Sequence, residues 1–137
     1  MNDKIWLSSP HMSGNELKYV RKAFEDNWVA PLGENVNEFE KALGAYLNVS
    51  YVTALNTGTA ALHLALLNLG IKAGDEVIVS TFTFAASVNP ILYQSATPIF
   101  VDSEAETWNM DPQLLEEAIK DRIKKGKRPK AIILVHL

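Results

Sequence analysis

The sequence predicts an α/β fold, a mostly parallel sheet flanked by helices. Short apolar, β-branched runs recur along the second half of the chain at Glu76–Ser80, Thr97–Val101 and Ala131–Val135. Each suits a buried strand. Between them lie stretches with helical apolar spacing. Strands alternating with helices at this separation form βαβ units, because parallel neighbours need a long crossover. Ahead of them, Tyr51–Leu55 alternates and reads as one further strand.

Taken in order, Ser13-Gly14-Asn15-Glu16 has the form of a capping box, with Leu17, Val20 and Phe24 following at helical spacing. That helix should end near Asn27. The apolar loop Trp28–Gly33 follows neither periodicity. A second amphipathic helix aligns Val36, Phe39, Leu43 and Tyr46-Leu47 and stops around Asn48. The Tyr51–Leu55 run breaks at Asn56-Thr57-Gly58-Thr59 and becomes an alanine- and leucine-rich helix that Gly70 closes. Gly74-Asp75 makes the turn into the next strand. Thr81–Asn89 leads into a helix that contains Pro90. Asp102 ends the Thr97–Val101 strand. Asp111-Pro112 opens a helix, with aspartate as cap and proline in the first turn. The chain stops two residues after Val135, and the last strand lacks any following crossover. The expectation is the first part of a longer protein: 1–50 a helical N-terminal segment, 51–137 the βαβ units.

Composition narrows the function. With 137 residues the chain can bury a real core, and 47% hydrophobic and 21% charged residues are ordinary for a globular domain. A net charge of −3 gives no footprint for nucleic acid. The absence of cysteine rules out disulfides and thiolate metal sites and fits a reducing compartment. No run has the length of a membrane span, and the N-terminus has no apolar signal region. A cytoplasmic location is expected.

A strand turning into a helix through Asn56-Thr57-Gly58-Thr59 leaves free N–H groups at the helix start. With the helix dipole and the Thr57 and Thr59 hydroxyls, they suit a phosphate. The spacing is neither a P-loop nor a Rossmann fingerprint. Simple capping by Thr57 or Thr59 fits equally well. In open α/β sheets ligands bind beyond the carboxyl ends of the strands, which adds Ser80–Phe84, Asp102 and His136 as candidates. Phe82 and Phe84 could stack on a flat ligand, although core packing is the commoner role for the residue type. His63 reads as a satisfied core histidine and Asp102 as a turn cap. Lys120–Lys130 reads as a solvated helix end. No His/Asp/Glu cluster has metal-ligand spacing, and no Ser-His-Asp arrangement stands out.

From Thr57-Gly58-Thr59-Ala60-Ala61-Leu62 onward the sequence resembles the DegT/StrS-type aminotransferases, vitamin-B6-dependent enzymes acting on sugar nucleotides. The blocks SSPHMSGNELKYVRKAFEDNWVAPLGENVNEFEKAL, NTGTAALHLAL, GDEVIVSTFTFAASVN, ATPIFVDSEAETWNMDPQLLEEAI and the terminal VHL follow in the family's order. The resemblance implies the N-terminal part of the large domain of a fold-type-I aminotransferase. Thr57, Gly58 and Thr59 would hold the phosphate of pyridoxal 5'-phosphate and Phe84 would stack on its ring. Asn27, Trp28, Val29 and Ala30 would line the sugar-nucleotide pocket.

The first block is most similar to enzymes that aminate C4 of a UDP-linked 4-keto-6-deoxy-N-acetylglucosamine, the bacillosamine branch. The implied reaction takes an amino group from a donor such as glutamate, in a homodimer with sites at the subunit interface. The Schiff-base lysine and the aspartate that pairs with the pyridinium nitrogen lie beyond Leu137 in the family's order. No catalytic residue is therefore assigned here, and the 137-residue chain by itself is expected to be inactive. Two alternatives share the fold: a non-catalytic sugar-nucleotide-binding or regulatory protein, and a sugar dehydratase with histidine in place of that lysine.

Overall fold

The computed structural model describes residues 9–137, and the chain divides into two compact units, Met1–Ala54 and Leu55–Leu137.

In the first unit, α1 spans Glu16–Glu25 and α2 spans Glu34–Leu47. Half of the expected capping box forms. The Glu16 carboxylate accepts the Ser13 and Gly14 N–H groups at 2.6 and 2.9 Å, but the N-cap is Asn15, whose side chain makes no capping bond. Asn27 stops α1 by taking a left-handed conformation (φ 51°), which lets the Trp28 N–H reach back to the Ala23 carbonyl at 2.8 Å. Asn48 (φ 53°) ends α2 in the same way, with Val49 N–H on the Gly44 carbonyl.

The predicted strand at Tyr51–Leu55 is absent; the segment is coil. Alternation makes a segment competent for pairing, but a strand needs a neighbour to complete its ladder. Among the described residues none lies beside it, and the Ala54 N–H is taken instead by the Glu40 carboxylate at 2.7 Å.

The second unit holds α3 (Gly58–Asn68), β1 (Glu76–Ser80), α4 (Ala85–Tyr93), β2 (Thr97–Val101), α5 (Pro112–Lys124) and β3 (Ala131–Ile133). The strands form a parallel sheet in the order β2-β1-β3, with Ile78 of β1 opposite Ile99 and Ile132. β1 is buried along its whole length, as its unbroken Val-Ile-Val run requires. Val77 and Val79 join Leu66, Ile91 and Ile133 on the face covered by α3 and α4. Ile78 points the other way, into a cluster with Val101, Met110 and Leu115 beneath α5. Helices therefore cover both faces. β3 ends two residues earlier than predicted: its ladder with β1 runs from Ala131 to Ile133, and β1 itself ends at Ser80, the position in register with Leu134.

One polar pair ties α5 to the sheet. The Glu76 carboxylate, 2% exposed, receives Arg122 Nε at 2.8 Å and Nη2 at 2.5 Å. This guanidinium holds the Glu76 carboxyl below the usual carboxylate range.

Candidate functional site

The connection after β1 feeds α4 on one face of the sheet, while the connection after β2 feeds α5 on the other. Adjacent strands whose chains leave in opposite directions open a crevice at their carboxyl ends. Here that crevice is a cavity of about 440 Å³ lined by Thr81, Phe82, Asp102, Ser103 and Trp108, among others. Asp102 belongs to its lining and acts as the expected turn cap. Its Oδ1 accepts the Ser103 N–H at 2.9 Å and the Thr81 hydroxyl at 2.8 Å, and these two bonds hold its carboxyl below the ordinary range. Phe82 leans on Trp108 with ring centroids 5.7 Å apart, and both stay more than half exposed. Trp108 was not foreseen. It adopts a positive φ of 65° in the loop between β2 and α5, a conformation that residue type does not announce.

Phe84 is not a core residue either. It is the N-cap position of α4, its carbonyl accepts the Ser87 N–H, and its ring is 85% exposed. The core-packing role that residue type favours for both phenylalanines therefore fails. A polar strand end followed at once by a helix start leaves their rings outside the sheet.

At the start of α3 the Thr57 hydroxyl oxygen accepts the Ala60 N–H at 3.1 Å, and the first helical bond runs from Ala61 N–H to the Thr57 carbonyl. Thr57 is thus a helix cap, as one of the two readings held. The cap leaves the Gly58 and Thr59 N–H groups with no acceptor among the described residues. Gly58 itself is exposed, and a Cβ placed on it would meet no heavy atom within 4 Å. Two unpaired donors at the positive end of a helix suit an anion.

In the first unit, Trp28, Val29 and Ala30 line a smaller cavity of about 180 Å³ together with Lys22, Asp26 and Glu34. Asn27 is not in its lining; its contribution is the left-handed turn that sets the loop's direction. The Trp28 indole N–H is tied to the Leu32 carbonyl, which folds the loop back on itself. A Cβ at Gly33 would sit 2.5 Å from Trp28 Cδ1, so this closure needs glycine.

Of the remaining candidates, His63 is half-buried in α3 and bonded to Gln94, the satisfied histidine expected. His136 lies in the exposed coil after β3. No group of three potential metal ligands occurs among the described residues, and no helix among them is long and apolar enough to cross a membrane.

A parallel sheet covered on both faces, with a helix start and exposed aromatics at its carboxyl end, defines an open α/β domain with a crevice at that edge. Residues 10–137 match the DegT/DnrJ/EryC1/StrS aminotransferase family. The chain belongs to that family. It is 51% identical to EpsN of Bacillus subtilis, provisionally designated a pyridoxal phosphate-dependent aminotransferase, over 100% of this chain and 35% of that protein. It is 45% identical to the GDP-perosamine synthase of Escherichia coli O157:H7, over 97% of this chain and 35% of the synthase. Its fold superposes on Spr1654 of Streptococcus pneumoniae, provisionally designated a sugar aminotransferase and solved in its PMP form. That match has a TM-score of 0.77 at 36% identity, covering 95% of this chain and 31% of that one. The chain thus spans about a third of the length of these relatives.

Proposed function

We propose that this chain supplies the phosphate-binding and ring-stacking half of the cofactor site in a pyridoxal-phosphate-dependent sugar-nucleotide aminotransferase, as the N-terminal portion of its large domain. The observation that carries the reading is the helix start, where the Gly58 and Thr59 N–H groups have no acceptor among the described residues and Gly58 is exposed. A phosphate bearing two negative charges fits donors of that kind. The Thr59 hydroxyl adds a further donor. Thr57 keeps its oxygen on Ala60 and so holds the turn in shape while its O–H stays free to donate.

When bound, pyridoxal phosphate supplies the group that carries nitrogen from donor to keto sugar, together with the electron sink for that transfer. Phe84 would offer one aromatic face to the ring, and its 85% exposure leaves that face accessible. No lysine of this chain is assigned to the covalent step. Asn27 would orient the Trp28–Ala30 loop, whose cavity would take part of the sugar nucleotide. The substrate we favour is a nucleotide-linked 4-keto-6-deoxy sugar, with glutamate as donor. Similarity to a GDP-perosamine synthase supports the class of substrate. We further infer a homodimer, supported by the apolar face that Leu17, Val20 and Phe24 leave exposed on α1.

The test is Thr59→Val in the full-length protein. Losing one charge-assisted hydrogen bond, about 1.5–3 kcal/mol, lowers cofactor affinity roughly ten- to a hundred-fold in a spectrophotometric titration. Unchanged affinity would leave Thr59 as an ordinary helix residue and remove the cradle.

A further inference from the structure

We propose that His63 is a positioning residue for the phosphate cradle: its bond to Gln94 fixes the rotation and height of α3, and so where the Gly58 and Thr59 N–H groups point. The inference rests on the cradle reading above and adds a residue that does not touch the ligand.

The argument starts from the composition of α3. GTAALHLALLN is apolar on every side: Leu62 and Leu66 pack inward, while Leu64 and Leu67 remain 40% and 49% exposed. A helix with one apolar stripe is oriented by that stripe. An all-round apolar helix can turn against a neighbour and exchange one leucine contact for another at little cost. Burial alone therefore sets its orientation weakly.

A single polar contact inside such an interface behaves differently, because it is satisfied in only one register. Between Thr59 and Asn68, His63 is the sole polar side chain in α3. Its Nε2 lies 2.5 Å from the Gln94 carboxamide at the C-cap of α4, and its ring meets Tyr93 edge-on with centroids 5.3 Å apart. The amide N–H donates to the neutral ring or, with the amide turned, the ring N–H donates to its oxygen. In either form, one hydrogen bond and one aromatic edge tie the middle of α3 to the end of α4. α4 in turn is anchored by Ile91, which is fully buried against the sheet. His63 stands one helical turn from Thr59, so a rotation of α3 that breaks this tie also re-aims the donors at its start.

The experiment measures dissociation constants of the full-length protein for pyridoxal phosphate and for pyridoxal, which lacks the phosphate. The variants are Thr59→Val, His63→Leu, His63→Gln and Gln94→Leu. His63→Leu should weaken pyridoxal phosphate about ten-fold, one decade or ~1.4 kcal/mol, and leave pyridoxal within about two-fold. His63→Gln, whose amide reaches the place of Nε2, should restore most of the affinity. Gln94→Leu removes the same bond from α4 without touching α3, so it should reproduce the selective loss even where His63→Leu fails to fold. Equal weakening of both ligands by these variants would make His63 a stability residue and overturn the proposal. So would full phosphate affinity in His63→Leu or Gln94→Leu while Thr59→Val is impaired. A silent Thr59→Val overturns the cradle itself, and the positioning role falls with it.

Discussion

Arg122→Met in the purified protein isolates what the α5–β1 ion pair contributes. Glu76 opens the central strand with a side chain only 2% exposed, and Arg122 meets both of its carboxylate oxygens. Removing the guanidinium leaves a carboxylate in the interior. Truncating one partner of a buried pair costs about 3–5 kcal/mol. Lys127, with Nζ 3.9 Å from Glu76 Oε1, offsets part of the loss, which places the expected value near the bottom of that range, at about 3 kcal/mol. Glu76→Leu combined with Arg122→Met should recover most of it, because two apolar groups of matching size leave no buried charge unpaired. The sign with pH follows from the depressed Glu76 carboxyl. A group whose folded value is lowered stabilises above its unfolded value, about 4.3, and that stability is lost as pH falls through the folded value. The gap between wild type and Arg122→Met should therefore close on acidification below about pH 4.3. Urea denaturation at pH 7 and at pH 3 measures both effects. A loss under about 1 kcal/mol at pH 7, or a gap that widens in acid, would refute the reasoning.

Phe84→Leu should lower folding stability by less than about 1.5 kcal/mol, because an 85% exposed ring contributes little packing, yet weaken cofactor retention clearly. A collapse in melting temperature with intact cofactor binding would make Phe84 a structural residue. Gly33→Ala places a methyl 2.5 Å from the Trp28 ring, whose N–H is held by Leu32. The loop must shift at a cost of about 1–3 kcal/mol, and sugar-nucleotide affinity should fall with it. Calorimetry and tryptophan emission identical to wild type would argue that the loop is free to give way.

Much of this protein was legible in its residues because the signals were local. Val77-Ile78-Val79 could only be a strand covered on both sides, and Thr97–Val101 matched its predicted limits. Asp111 was a cap by residue type, and its Oδ1 indeed accepts the Gln113 and Leu114 N–H groups. The turn at Thr57–Thr59 announced a helix start in the same way. Tertiary structure decided what depends on partners distant in sequence. Tyr51–Leu55 has the alternation of a strand, but among the described residues no strand lies beside it to complete a ladder. Phe82 and Phe84 have core composition, but the direction in which the chain leaves β1 turns both rings outward. Trp108 enters the crevice through a left-handed backbone that no residue preference encodes, and Arg122 reaches Glu76 across 46 residues of sequence. The alphabet of α3 made it a helix; that its one mid-helix polar side chain, His63, meets Gln94 of α4 is visible only in the folded chain.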